Sequence, residues 1–89
     1  ERAATLGARM LAGFQAIDAR IIRDIRGLGL MVGIELRART GSYLAALAQT
    51  GVLALPAGST VMRFLPPLVI SEEDVDVVVE KVTKVLTEA

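Results

Sequence analysis

The segment Ile21-Ile22-Arg23-Asp24-Ile25-Arg26-Gly27-Leu28-Gly29-Leu30-Met31-Val32-Gly33-Ile34-Glu35-Leu36 fixes the architecture of the chain. From Leu30 onward the side chains alternate, Leu30, Val32, Ile34 and Leu36 on one side and Met31, Gly33 and Glu35 on the other. That period of two is the mark of a strand with one buried face. Ile21 to Arg26 is shorter, β-branched and charge-alternating, which suits an edge strand. Gly27-Leu28-Gly29 between them reads as a turn in which glycine supplies positive φ. The pair therefore predicts two antiparallel strands with one apolar face to cover.

The flanking sequence supplies the cover. Leu6, Met10, Phe14 and Ile17 recur at spacings of four, four and three, one stripe of a helix from about Glu1 to Ala16. Gly7 and Gly13 lie off that stripe and weaken the helix slightly. After Leu36, Ser42 is placed to cap a short helix, YLAALAQT, with Gly51 at the left-handed position beyond its end. Val52 to Leu55 reads as a strand closed by Pro56-Ala57-Gly58, and Val61 to Leu65 as another that stops at Pro66-Pro67. Ser71-Glu72-Glu73-Asp74 resembles a capping box, and Val75, Val78, Val82 and Val85, flanked by Val79 and Leu86, form the apolar stripe of a last helix. The order α-β-β-α-β-β-α predicts an α+β fold, helices packed on a small, mainly antiparallel sheet.

Composition bounds the function. The chain has 89 residues, one domain at most. With glycine counted and tyrosine left out, its apolar fraction is roughly 61%, against about 45–50% in ordinary domains. That excess fits docking onto a larger body. Ten basic and ten acidic residues cancel, and Phe14, Tyr43 and Phe64 are the only aromatics, so neither nucleic acid nor an anionic membrane is an expected partner. There is no cysteine for thiolate chemistry and no histidine to serve as general base or metal ligand. No apolar run approaches the roughly 18 residues of a membrane span. The start, ERAATLGARM, has no signal-peptide pattern and reads as the middle of a helix, which gives the expectation of a fragment of a longer chain.

Few motifs carry chemistry. Gly27-Leu28-Gly29 lacks the third glycine of a dinucleotide-binding fingerprint, because position 32 is Val and the segment continues as a strand. Gly29 and Gly33 form a GxxxG, but with a period of two this signals close packing in a sheet. Glu72, Glu73 and Asp74 suit a helix start better than a metal or a catalytic pair. Lys81 and Lys84, the only lysines, fit solvent-exposed side chains that complement the helix dipole. Arg63 stands out. In Val61-Met62-Arg63-Phe64-Leu65 it shares a face with Val61 and Leu65, and an arginine among apolar neighbours must find a partner or reach water. Its planar fork is able to hold a carboxylate through two parallel hydrogen bonds. A structural ion pair, or an edge-strand arginine reaching solvent, accounts for the same pattern.

Three stretches together resemble the C-terminal part of class III, fold type I aminotransferases. They are Ile22 to Leu36, Gly51-Val52-Leu53-Ala54-Leu55-Pro56-Ala57-Gly58, and Val61 to Ile70 with its Arg63-Phe64-Leu65-Pro66-Pro67-Leu68 core. Within that family the segments are most similar to acetylornithine aminotransferases and to the related enzymes of bacterial lysine synthesis. The resemblance implies that residues 1–89 are a C-terminal small domain. It implies an amino-group transfer between N-acetylornithine, or a related terminal amine, and 2-oxoglutarate, in arginine or lysine biosynthesis. Pyridoxal phosphate is the implied cofactor, held by a large domain that carries its lysine, so the 89 residues alone are expected to be inactive. A homodimer and a cytoplasmic location go with that expectation. By position, Arg63 matches the family arginine that grips the substrate α-carboxylate, while Arg26 and Glu35 fit the motif as structural residues. The competing reading is a non-catalytic α+β module for ligand binding or assembly, to which the high apolar content also points.

Overall fold

A computed structural model of the chain describes residues 2–28, 31–52, 54–64 and 71–88. Three helices and four strands follow in the expected order: α1 Arg2–Gln15, β1 Ile22–Leu28, β2 Met31–Leu36, α2 Gly41–Gln49, β3 Leu55–Ala57, β4 Val61–Phe64 and α3 Glu72–Thr87. The strands form one antiparallel sheet in the order β1-β2-β4-β3, with β1 at one edge and β3 at the other.

The alternation in β2 organises the core. Val32, Ile34 and Leu36 are buried, and so are Met62 and Phe64 of β4 on the same face. Leu6, Met10 and Phe14 from α1, Leu47 from α2, and Val75, Val82 and Leu86 from α3 close over them. The rings of Phe14 and Phe64 meet with centroids 4.9 Å apart and planes tilted by 58°, within the range of favourable aromatic pairs. On α3 the stripe runs through Leu86 rather than Val85, while Val78, Val79 and Val85 pack partly buried at its margins. Gly13 lies where α1 meets α3. A Cβ there would approach Val79 Cγ2 to 2.8 Å, so this glycine permits the close contact between the two helices.

Four further local expectations are corrected. β1 continues through Gly27 to Leu28, Gly27 pairs with Val32, and its φ is not positive. Leu11 Cδ2 would sit 3.2 Å from a Cβ at Gly27, so α1 lies over this part of the strand. The cap of α2 is Thr40, not Ser42, and it uses no side-chain hydrogen bond. Thr40 is buried, its N–H donates to Ser59 O at 2.9 Å, and its carbonyl accepts from Leu44 N at 2.8 Å. The tertiary bond to the β3–β4 turn thus sets the helix start. β3 spans Leu55–Ala57 rather than Val52 to Leu55, with Pro56 inside it opposite Met62, which an edge strand tolerates. Val52 is instead consumed by the end of α2: its N–H bonds Leu47 O at 3.0 Å and Gly51 N–H bonds Ala48 O at 3.0 Å. With Gly51 at φ +91°, this is a Schellman ending. Lys81, the fourth correction, is half-buried and bonded, as described below.

The remaining α3 expectations hold. Ser71 Oγ accepts from Asp74 N at 3.1 Å and Ser71 N donates to Asp74 Oδ2 at 3.3 Å, a reciprocal capping box. The expectations for Gly29, Leu30, Leu53, Leu65 and Pro66-Pro67 fall outside the described residues.

Candidate functional site

The face of the sheet opposite the core is assembled by strand register. Arg26 stands opposite Gly33, Gly33 opposite Arg63, and Arg63 opposite Leu55, so one row crosses all four strands. Asp24, Glu35, Val61 and Ala57 form the next row by the same pairing. Directly opposed residues share a face, which places two arginines on either side of a glycine strand position.

These two arginines have different surroundings. Arg26 Nη1 donates to Asp24 Oδ2 at 2.6 Å and Nη2 to Glu35 Oε1 at 3.3 Å. The hydrogen bond to Asp24 first, then that to Glu35, pushes the Arg26 pKa further up. Among the described residues Arg63 has no such partners. Its Nε is buried without a hydrogen-bond partner, and its Nη2 reaches only Pro56 O at 3.4 Å, beyond the usual range for N–H···O bonds. Among the described residues it enters no ion pair, while Asp24 and Glu35, the acids of the neighbouring row, both bond Arg26. An unsatisfied N–H on a group that stays charged costs about 1–3 kcal/mol or more.

β4 anchors the backbone from which this side chain projects. Met62 and Phe64, on either side of Arg63, are inserted in the core at 0% and 2% exposure, which fixes the strand and hence the root of the arginine side chain. Leu55, 56% exposed, stands directly across from Arg63. From the sequence it reads as the end of β3, yet it is the first residue of that strand. Its position beside Arg63 follows from the pairing of the two strands, which the local pattern does not contain. The arrangement offers a charged, planar, half-buried donor with an apolar neighbour, suited to accepting one carboxylate.

The other sequence candidates separate from this site. Lys81 is not a free, dipole-complementing side chain: its Nζ donates to Thr50 O at 2.7 Å and so satisfies the C-terminal end of α2. Lys84 is exposed in the last turn of α3. Neither lysine joins the Arg63 row, so neither fits a role in holding a cofactor there. Glu72 faces Arg9 at 3.5 Å, and Arg9 also grips Asp76 in a paired contact at 2.8 and 2.9 Å, which ties α1 to α3. Asp74 is engaged in the cap. No group of three acidic side chains able to hold a metal occurs among the described residues. Nor is any described helix long and apolar enough to cross a membrane.

Comparison with known proteins adds a family. The Aminotransferase class-III pattern matches residues 1–86. A [LysW]-aminoadipate semialdehyde transaminase from Deinococcus radiodurans is 46% identical over 87 residues, covering 97% of this chain and 20% of that protein. An ornithine aminotransferase from Halalkalibacterium halodurans is 43% identical over 86 residues, covering 97% of this chain and 22% of the relative. The crystal structure of an acetylornithine aminotransferase from Elizabethkingia anophelis superposes with a TM-score of 0.89 at 29% identity, over 100% of this chain and 24% of its own. The chain thus spans about a fifth to a quarter of the length of the proteins it matches.

Proposed function

This chain belongs to the class III aminotransferase family, and we propose that it is the C-terminal, substrate-side domain of such an enzyme, with Arg63 as its carboxylate-binding residue. Members of the family are pyridoxal phosphate enzymes. The bound cofactor supplies the electron sink for amino-group transfer. Neither lysine of this chain fits a role in holding it, so the cofactor lysine and the phosphate-binding groups belong to the remainder of the parent protein. The parent moves an amino group between N-acetylornithine, or a related terminal amine, and 2-oxoglutarate, in arginine or lysine biosynthesis. It acts in the cytoplasm as a homodimer.

The observation that carries this reading is the unsatisfied Arg63 guanidinium. A buried Nε without a partner and a terminal nitrogen at 3.4 Å from a carbonyl leave donor capacity that the described residues do not use. A substrate α-carboxylate would satisfy it with paired, charge-assisted hydrogen bonds. Because β4 is anchored by Met62 and Phe64, the carboxylate would be gripped from a fixed point on the sheet. That sets which end of the substrate faces the reacting centre, an orientation effect able to lower the barrier by several kcal/mol.

The test is kinetic and uses the full-length parent. Arg63→Ala should raise KM for the carboxylate substrates by about 10–100-fold, which corresponds to about 1.4–2.8 kcal/mol, while the visible absorbance of the bound cofactor is kept. Arg63→Lys should recover only part of the loss, since an ammonium lacks the fork. Unchanged kinetics for both substrates in Arg63→Ala would remove Arg63 from the site.

A further inference from the structure

We propose that Arg26 is a positioning residue for the carboxylate site: it holds Glu35 away from Arg63 and so keeps the Arg63 guanidinium open to substrate. The proposal rests on the reading of Arg63 as the carboxylate-binding residue. Strand register sets up the choice. β2 lies between β1 and β4, and Gly33 pairs with Arg26 on one side and with Arg63 on the other. Glu35 is two residues farther along β2, on the same face. It is therefore a diagonal neighbour of both arginines, at the roughly 7–8 Å that long side chains span. Gly33 carries no side chain between them. One glutamate thus stands within reach of two cations, and its choice decides whether Arg63 is open.

The chain settles that choice by bracing Arg26. Asp24 Oδ1 accepts from Ile25 N–H at 2.9 Å, which ties the carboxylate to its own strand. Asp24 Oδ2 accepts from Arg26 Nη1 at 2.6 Å, and the other terminal nitrogen, Nη2, meets Glu35 Oε1 at 3.3 Å. The last contact is long for a charge-assisted bond, whose usual range is about 2.7–2.9 Å. Glu35 is therefore kept in place by the direction of the braced fork rather than by a tight bond of its own. Its side chain is 26% exposed, so a Glu35 released from Arg26 is a half-buried carboxylate that needs another cation. Arg63, with a buried Nε that no described residue satisfies, is the diagonal alternative.

A structural strap between β1 and β2 accounts for the same bonds, but the two roles differ in consequence. A strap lost with Arg26 lowers stability, and removing Glu35 as well does not repair it. A released Glu35 instead competes with substrate inside the molecule. While it occupies Arg63 the site is closed to a carboxylate, so the apparent affinity falls to the fraction of molecules in which Arg63 is open. A partly exposed ion pair is weak, and the expected loss is about threefold. That is smaller than the loss expected when Arg63 itself is removed.

The experiment measures steady-state kinetics of the cofactor-loaded, full-length parent with 2-oxoglutarate as the varied substrate. Arg26→Gln should raise KM about threefold, with the loss in KM rather than in kcat. Arg26→Gln/Glu35→Gln should bring KM back close to the parent value, because the competing carboxylate is gone. Arg26→Gln/Asp24→Asn restores the same net charge but leaves Glu35 ionised, and its KM should stay raised. In an Arg63→Ala background, Arg26→Gln should add no further rise. If Arg26→Gln loses the visible absorbance of the bound cofactor, Arg26→Lys takes its place, since a lysine held by Asp24 has no fork to offer Glu35. An unchanged KM on loss of the Arg26 fork, or a rise that Glu35→Gln does not reverse, would overturn the proposal. Equal reversal by Asp24→Asn would overturn it in favour of a general field of charge. A KM that Arg63→Ala leaves unchanged would instead remove the carboxylate reading, and this proposal with it.

Discussion

The two faces of the sheet solve different problems. On the covered face every large side chain has neighbours: Val32, Ile34, Leu36, Met62 and Phe64 are at most 2% exposed and packed against three helices. On the other face the same strands carry charge, and there the pairing is unequal. Arg26 is served by two carboxylates, whereas Arg63, on the other side of Gly33, has a buried nitrogen without a partner. The covered face is finished by the chain itself. The charged face is finished at Arg26 and unfinished at Arg63. An alternating strand therefore builds stability with one set of residues and leaves an unsatisfied donor among the other, at single-residue spacing.

Substitutions on each face should separate these roles. The largest effect on stability belongs to the covered face. Phe14→Ala removes a fully buried ring that meets Phe64, and should cost about 3–5 kcal/mol. Hydrogen exchange of the Ile34 and Met62 amides in the parent should accelerate accordingly, and a change below about 1 kcal/mol would mean that the core is not organised as described. On the charged face, Arg63→Met keeps the aliphatic stem and removes the unsatisfied nitrogen. Its stability should lie within about 1 kcal/mol of the parent or above it, since an apolar side chain of similar volume relieves a buried unpaired donor. A loss of several kcal/mol in a thermal melt would show that Arg63 is structurally paired.

The smallest effect is at the rim between α1 and α3. The hydrogen bond from Arg9 holds the Asp76 carboxyl below its ordinary value of 3.8. A carboxyl with a depressed folded pKa contributes stability above its unfolded pKa, and the contribution disappears as pH falls through the folded value. Asp76→Asn should therefore melt slightly earlier than the parent at neutral pH, and the two curves should converge in acid below the ordinary carboxylate range. Both partners are about half exposed, so added salt should shrink the difference as well. A difference that persists unchanged in strong acid would exclude the ion pair as its source.

Much of the fold is legible in the sequence because its signals are local. The alternation of Val32, Ile34 and Leu36, the stripe of Leu6, Met10 and Phe14, and the Ser71–Asp74 box each need only a few neighbouring residues. The misplaced boundaries arise where a distant group intervenes. Ser42 is the better cap by propensity, but the bond from Thr40 to Ser59 places the start of α2 earlier. Pro56 looks like a strand terminator until β3 proves to be an edge strand, where a missing N–H is harmless. For Arg63 the face is readable from Met62 and Phe64, but its lack of a partner is not. That depends on which strands register brings side by side, and it sets Asp24 and Glu35 against Arg26.

The contrast between the two arginines is tested most directly by binding a small dicarboxylate, such as glutarate, to the full-length parent by calorimetry, with Arg63→Ala and Arg26→Ala measured alongside. Arg63→Ala should weaken binding by at least about tenfold, the loss of one charge-assisted pair, while Arg26→Ala should change it severalfold less. Equal losses in the two variants, or a larger loss at Arg26, would contradict it.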